Sequence, residues 1–180
     1  RHPLHHKLDL TKVGMAGHSF GAKTTQAVSG EVFPLFPNVQ DPRIKAACCL
    51  SPSIPNIGAL RTPQVAFGNV RVPWLLMTGT LDVASTLMSG MTPEARQLVF
   101  RALPMNSGMS YEVVFEGAEH AAFSDRPARK PRNPNHHKNI VTISTAFFKA
   151  WLCGDQDAKA WIDGNGPKSV LDPLDQWQRK

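Results

Sequence analysis

The chain has 180 residues, 42% of them apolar, which suits one globular domain, over residues 1–180, with a substantial core. Lysine and arginine exceed aspartate and glutamate by six, and three cysteines are too few for a disulfide framework. The longest apolar runs fall short of the roughly eighteen residues that a membrane-spanning helix needs. No signal peptide is visible, and a cytoplasmic and an exported protein both fit a sequence that begins without Met inside a predicted domain.

Four apolar runs predict β-strands, at residues 12–16, 43–50, 72–78 and 111–116. The two middle runs are apolar almost throughout, which is typical of strands covered on both faces in a parallel sheet. Cys48 and Cys49 are neighbours in the second run, so we expect their side chains to point to opposite faces. We interpret these two cysteines and Cys153 as packing residues.

Helical patterns separate the strands. Residues 21–28 and 93–103 are predicted helices, the second capped by Thr92 with Pro93 in its first position. The clearest helix ends at Gly154, and its apolar stripe is formed by Ile140, Ile143, Phe147, Phe148, Trp151 and Leu152. A short helix over residues 158–164 and a polar tail follow. This alternation predicts an α/β fold, and because four strands make a thin sheet, we infer that further strands precede this sequence.

A basic stretch lies before the last long helix. Residues 126–139 hold five cations (Arg126, Arg129, Lys130, Arg132 and Lys138) and no acid. We interpret the stretch as a solvated loop rich in Pro and Asn. The alternative is a patch for an anionic partner such as nucleic acid, but no aromatic residues interleave with the cations, so we expect no nucleic-acid partner.

The first strand leads into Gly17-His18-Ser19-Phe20-Gly21, which fits G-x-S-x-G. In this motif a strand turns so sharply into a helix that the serine hydroxyl stands clear at the edge of the sheet. We expect a β-carbon at either glycine to collide within the turn, and His18 to pack beside it. The backbone N–H of Phe20 is the predicted oxyanion donor.

Serine needs a base, and the base needs an orienting acid. In this strand-turn-helix class the chain order is Ser, acid, His. Asp82 follows the third predicted strand and His120 follows the fourth, at the sheet edge where catalytic groups gather. The alternatives are that Asp82 caps the next segment and that His120 is an ordinary loop histidine. The paired His136 and His137 have no spaced third ligand, so we expect no metal.

The stretches GHSFGA, DPRIKAACCLSP, VPWLLMTGTLD, FEGAEHAAF and FFKAWLCGDQDAKAWIDG resemble the α/β-hydrolase fold over most of residues 9–166. The likeness is to the predicted dienelactone hydrolases and the platelet-activating-factor acetylhydrolase-like serine esterases. It implies a mostly parallel sheet with helices on both faces, of which this chain is the C-terminal portion. It also implies hydrolysis of short-chain carboxylic esters without a cofactor, with Ser19 as nucleophile, Asp82 as acid and His120 as base.

The sequence departs from these families in two ways. True dienelactone hydrolases use a cysteine nucleophile, so a lactone substrate does not follow from the resemblance. The lipid-mediator acetylhydrolases place their acid one strand earlier, where this chain reads LSPS without a carboxylate, and this favours Asp82. The family's first half, with the loop that gives the second oxyanion donor, is not in this sequence and is needed to complete the fold.

The substrate pocket is less marked in the sequence. Leu87, Met88, Met91 and Phe123 lie close in sequence to Asp82 or His120, and their soft or aromatic side chains fit either an acyl pocket or simple packing. The leading function is a serine esterase that acts on a small-molecule ester. A peptidase or acyltransferase of the same fold, and a non-catalytic binding protein, are the alternatives.

Overall fold

The structure is a computed structural model that describes residues 3–33, 38–54, 62–83, 91–105, 108–124 and 131–180. Its strands are β1 (Val13–His18), β2 (Ile44–Leu50), β3 (Trp74–Leu81), β4 (Ser110–Glu119) and β5 (Gln176–Arg179). Its helices are α1 (Phe20–Ser29), α2 (Pro63–Phe67), α3 (Pro93–Ala102), α4 (Pro134–Cys153), α5 (Gln156–Asp163) and α6 (Gly166–Val170), and a short 3-10 helix covers His120–Phe123.

Within the described residues, five strands form one sheet in the order β1-β2-β3-β4-β5. The first four are parallel, and β5 is antiparallel to β4. The prediction of a mostly parallel sheet is confirmed, and all four predicted strands are present with ends that differ by up to three residues. Because β1 to β4 run the same way, their carboxyl ends lie along one edge, where a site can form.

The polar tail predicted after the last helices contains secondary structure that the sequence did not predict. The tail contains α6 and β5, and Trp177 of β5 stacks on Tyr111 of β4 with ring centroids 5.8 Å apart. Ser110 and Lys180 also exchange backbone hydrogen bonds. The pattern QWQR carries too little apolar character to predict a strand, and its pairing with β4 makes it one.

Helices cover both faces of the sheet, as predicted. On one face α4 and α5 place Ile143, Phe147 and Ile162 against a core that contains Cys48. On the other face α1, α2 and α3 enclose a second core that contains Cys49. The two neighbouring cysteines therefore point to opposite faces, as expected. Burial raises the pKa of Cys48 to about 12 and also raises the pKa of Cys49, so both thiols stay neutral.

Two predictions near α4 need correction. This helix begins at Pro134, inside the stretch predicted to be a loop through residue 139, because the Asn133 side chain accepts a hydrogen bond from the Asn135 N–H and Pro134 occupies the first helical turn. His136 and Asn139 are buried rather than solvated. At the other end of α4, Cys153 is exposed and is not a packing residue.

Candidate active site

Ser19 occupies the turn between β1 and α1 with φ 58° and ψ −114°, a backbone conformation that L-residues rarely adopt. A β-carbon on Gly17 would lie 2.3 Å from the carbonyl group of Gly21, so glycine is required at residue 17. The matching expectation for Gly21 is wrong. A β-carbon there would meet no described atom within 4 Å, because the turn lays the backbone of residue 21 over residue 17 and leaves the outer side of residue 21 open.

The structure brings Ser19, His120 and Asp82 together. Nε2 of His120 lies 2.9 Å from Oγ of Ser19, and Nδ1 lies 2.7 Å from Oδ1 of Asp82. The three residues follow β1, β4 and β3, whose carboxyl ends share one edge of the sheet. His120 begins the 3-10 helix His120–Phe123, and its side chain is 30% exposed, whereas that of Asp82 is fully buried.

The carboxylate of Asp82 is held from several sides. Its Oδ2 accepts a hydrogen bond from the Thr78 hydroxyl at 2.9 Å, and Nε of Arg96 lies 3.2 Å from its Oδ1. Burial by itself would raise the pKa of Asp82, but the hydrogen bond from His120 and the positive charge of Arg96 outweigh it and lower that pKa below the usual value of an aspartate. Asp82 is therefore ionised at neutral pH.

No protein-family model and no curated protein matches the sequence. Solved structures do share its architecture. A predicted dienelactone hydrolase from Klebsiella pneumoniae superposes with a TM-score of 0.60 at 18% identity, over 82% of this chain and 55% of its own. The chain has the α/β-hydrolase fold. The fold prediction is thereby confirmed, and the chain spans about half the length of that relative.

Two further solved structures are similar to this α/β-hydrolase-fold chain. An acylaminoacyl peptidase in complex with Z-Gly-Gly-Phe-chloromethyl ketone gives a TM-score of 0.57 at 17% identity, over 83% of this chain and 25% of its own. A puromycin hydrolase mutant complexed with PGG gives a TM-score of 0.55 at 17% identity, over 84% of this chain and 24% of its own. At these identities the likeness concerns the fold.

Arg96 is the residue near this site that the sequence reasoning missed. It lies in α3 and is only 2% exposed. A signal was present, since Arg96 shares the apolar side of the helix with Val99, Phe100 and Leu103, at spacings of three, four and seven residues. A charged residue in such a stripe needs a buried partner, which in this α/β-hydrolase fold is Asp82.

His18 packs beside the turn, as expected. Its ring centroid lies 4.6 Å from that of His120 and 6.1 Å from that of Phe123. Burial, followed by the proximity of His120, lowers the pKa of His18, so its imidazole is neutral at neutral pH. Its Nε2 is buried and has no hydrogen-bond partner among the described residues.

The predicted pocket residues are placed differently from one another. Phe123 is 7% exposed and packs on Phe115 in the core, a position that favours the packing alternative. Met91 is half-buried before α3, and Leu87 and Met88 lie outside the described residues. A cavity of about 180 Å³ lies beside the end of β4, but neither Ser19, Asp82 nor His120 lines it.

Phe20, the predicted oxyanion donor, is the first residue of α1. Its N–H points out of the helix start without an intrahelical partner, since the first N–H groups of a helix lie beyond the reach of the backbone ladder. Its side chain is 75% exposed.

In the ranges described, no three His, Cys, Asp or Glu side chains are grouped to hold a metal, and no described helix is long and apolar enough to cross a membrane. Arg126, Arg129 and Lys130 of the basic stretch lie outside those ranges.

Proposed function

We propose that the chain carries the reactive centre of a serine hydrolase that cleaves carboxylic esters through an acyl-enzyme. The observation that carries this proposal is the hydrogen-bonded line from Ser19 Oγ through both ring nitrogens of His120 to Asp82, at 2.9 Å and 2.7 Å. Nucleophile, base and orienting acid are within hydrogen-bond reach of one another, which is the geometry that activates a serine.

The protonation of His120 follows from its neighbours. An ionised Asp82 can only accept a hydrogen bond, so Nδ1 of His120 carries the ring proton and donates it. Nε2 then holds a lone pair, which accepts the hydrogen bond of the Ser19 hydroxyl. Arg96 Nη2, 3.5 Å from Nδ1, acts there as a charge and not as a donor.

In the first half-reaction, Oγ of Ser19 attacks the ester carbonyl carbon while its proton passes to Nε2 of His120. The carbonyl π-electrons move onto oxygen, and the N–H of Phe20 donates to that oxyanion. When the oxyanion re-forms the carbonyl, the C–O bond to the alcohol breaks, and the alcohol leaves with the proton from Nε2. Asp82 stabilises the imidazolium between these steps.

In the second half-reaction, water takes the place of the alcohol. Nε2 accepts a proton from water as its oxygen attacks the acyl carbon, and the collapse of the second tetrahedral species breaks the bond to Ser19. Oγ recovers its proton from Nε2. The products are a carboxylic acid and an alcohol, and the three side chains return to their first state.

The test is hydrolysis of p-nitrophenyl acetate together with labelling by a fluorophosphonate probe. We expect label on Ser19, and we expect Ser19→Ala to lose both label and turnover because nucleophile and base act as a unit. Ser169→Ala, an exposed serine of α6, is the matched control and keeps both. A Ser19→Ala protein that retains most of its rate contradicts the proposal, and a wild type that takes no label favours a non-catalytic binding protein.

A peptidase is the second candidate, because the chain shares its fold with an acylaminoacyl peptidase. Ester and amide hydrolysis use the same acyl-enzyme and differ in the leaving group that His120 must protonate. Comparing kcat/KM for p-nitrophenyl acetate and for a peptide p-nitroanilide separates the two. We expect the ester to be preferred, and a dominant amide activity that depends on Ser19 would replace the esterase by the peptidase.

A further inference from the structure

Arg96 joins several separate backbone segments through one side chain. Its Nε donates to the Asp82 carbonyl at 2.9 Å, and its Nη1 donates to the carbonyls of Ser51 and Pro52, both at 2.9 Å. Ser51 follows β2 and Asp82 follows β3, so one planar guanidinium binds the carboxyl ends of two neighbouring strands. Arginine suits this task because its donors form a rigid fork.

We propose that Arg96 is a positioning residue of the hydrolase, one that fixes the Asp82 carboxylate toward His120 and places a permanent positive charge behind the imidazole. The inference rests on the proposed function, since it assigns Arg96 a part in the same reaction. Arg96 does not touch the reacting atoms. It acts through Asp82 and His120.

The contacts of Arg96 go beyond what packing requires. A buried guanidinium loses its hydration, and an apolar side chain in the same place would cover the core at less cost. Arg96 recovers that loss by satisfying three backbone carbonyls and the carboxylate at once. Of these groups, the Asp82 carbonyl and the Asp82 carboxylate set where that side chain begins and where it points, and the Ser51 and Pro52 carbonyls tie the guanidinium to the end of β2. Small displacements of such a side chain lower the rate strongly, because the imidazole follows the carboxylate.

The charge of Arg96 has a separate effect. Among the residues that the structure describes, the ionisable groups that face the His120–Asp82 pair are Arg96 from α3, with Nη2 3.5 Å from Nδ1 of His120, and His18 from β1. Since burial keeps His18 neutral, Arg96 is the fixed cation that faces the pair within the described ranges. A cation there opposes proton uptake by the pair, whichever member takes the proton.

The experiment measures the pH profile of kcat/KM, kcat and KM separately, and the thermal midpoint for Arg96→Lys and Arg96→Met. Arg101→Met is the matched control, because Arg101 is exposed in the same helix. Arg96→Lys keeps the positive charge but not the planar arrangement of donors. For this variant we expect kcat to fall about tenfold with little change in KM, while the acid limb of the kcat/KM pH profile stays in place. For Arg96→Met we expect a similar loss and an acid limb moved up by about 1 pH unit.

The results for the Arg96 variants test the positioning role and the charge effect separately. An Arg96→Lys protein with wild-type kcat overturns the positioning role, and an Arg96→Met protein with an unmoved acid limb overturns the charge effect. Should Arg96→Met not fold, Arg96→Gln supplies the neutral variant, and Arg96→Lys still tests the positioning role. A mere stability role lowers the thermal midpoint without moving the limb. If the proposed function itself fails, the wild type takes no fluorophosphonate label at Ser19, whereas failure of this inference leaves that label intact.

Discussion

Gly17 and Gly21, the two glycines that flank Ser19 in one motif, face opposite steric demands. The site of a β-carbon on Gly17 is already occupied by the backbone of Gly21, 2.3 Å away, and by Oγ1 of Thr25 at 2.8 Å, whereas that of Gly21 is free within 4 Å of described atoms. Backbone cannot move aside as a side chain can. The turn therefore depends on glycine at residue 17 and tolerates a side chain at residue 21.

Gly17→Ala is expected to destabilise the protein by about 1–3 kcal/mol or more, since the added methyl group overlaps backbone. Gly21→Ala is expected to be neutral or to add up to about 1 kcal/mol, because alanine is the better helix former and residue 21 lies in α1. Urea unfolding of both variants measures the difference. Equal losses at the two positions would mean that the turn is not packed as described.

Asp82→Asn is expected to lower kcat by about four orders of magnitude, because a neutral amide neither stabilises the imidazolium nor holds Nδ1 in its protonated form. Asp157→Asn, an exposed acid in the first turn of α5, is the control and keeps full activity. Turnover of p-nitrophenyl acetate measures both, with unfolding curves to show that each variant is folded. A loss of tenfold or less for Asp82→Asn would indicate that another group orients His120.

The sequence was sufficient to predict the four parallel strands because each is an apolar run long enough to be covered by helices. The same pattern placed Ser19, Asp82 and His120 at strand ends, and parallel strands bring such ends to one edge. The distances between the three side chains could not be predicted from the sequence, since they depend on how far β1, β3 and β4 extend. The His120–Asp82 contact also needed the pairing of β3 with β4.

Arg96 and β5 each depend on a partner that is distant in sequence: the spacing of Arg96 within α3 marked it as buried but did not show its partners, and β5 had no local signal. Arg96 is buried because the ends of β2 and β3 supply acceptors for it. β5 is a strand because it pairs with β4, where the Trp177 ring stacks on that of Tyr111. The start of α4 was within reach, since Asn133 followed by Pro134 is a helix-start signal, but the surrounding polar and basic residues favoured a loop.

The thiols are predicted to divide into one reactive and two protected groups. Cys153 is exposed, whereas Cys48 and Cys49 are buried with raised pKa values. The native protein should therefore release one equivalent of thionitrobenzoate from Ellman's reagent quickly, and three after denaturation, while Cys153→Ser should release none quickly. Blocking Cys153 should leave ester hydrolysis unchanged. Fast reaction of a second thiol would show that one of the two hydrophobic cores, which hold Cys48 and Cys49, opens to solvent.

Glu112 is fully buried in β4, and its Oε2 accepts a hydrogen bond from Nε2 of Gln178 in β5. Burial raises its pKa to about 8, against the smaller opposing effects of that hydrogen bond and of the cations Arg101 and Lys180. The carboxyl group is thus mostly protonated at neutral pH in the folded state and ionised in the unfolded chain, whose glutamates titrate near 4.5.

This difference predicts how stability changes with pH. Between about pH 4.5 and 8 the folded state holds a proton on Glu112 that the unfolded state has lost, so the free energy of unfolding falls as the pH rises through this window and levels off above it. Glu112→Gln mimics the protonated form at every pH, so its free energy of unfolding should exceed that of the wild type by a few kcal/mol at pH 9 and by little at pH 5. Glu116→Gln, exposed on the same strand, is the control and should follow the wild type. If the curves of wild type and Glu112→Gln run parallel from pH 5 to 9 in urea unfolding, the buried carboxyl group is not the source of the pH dependence.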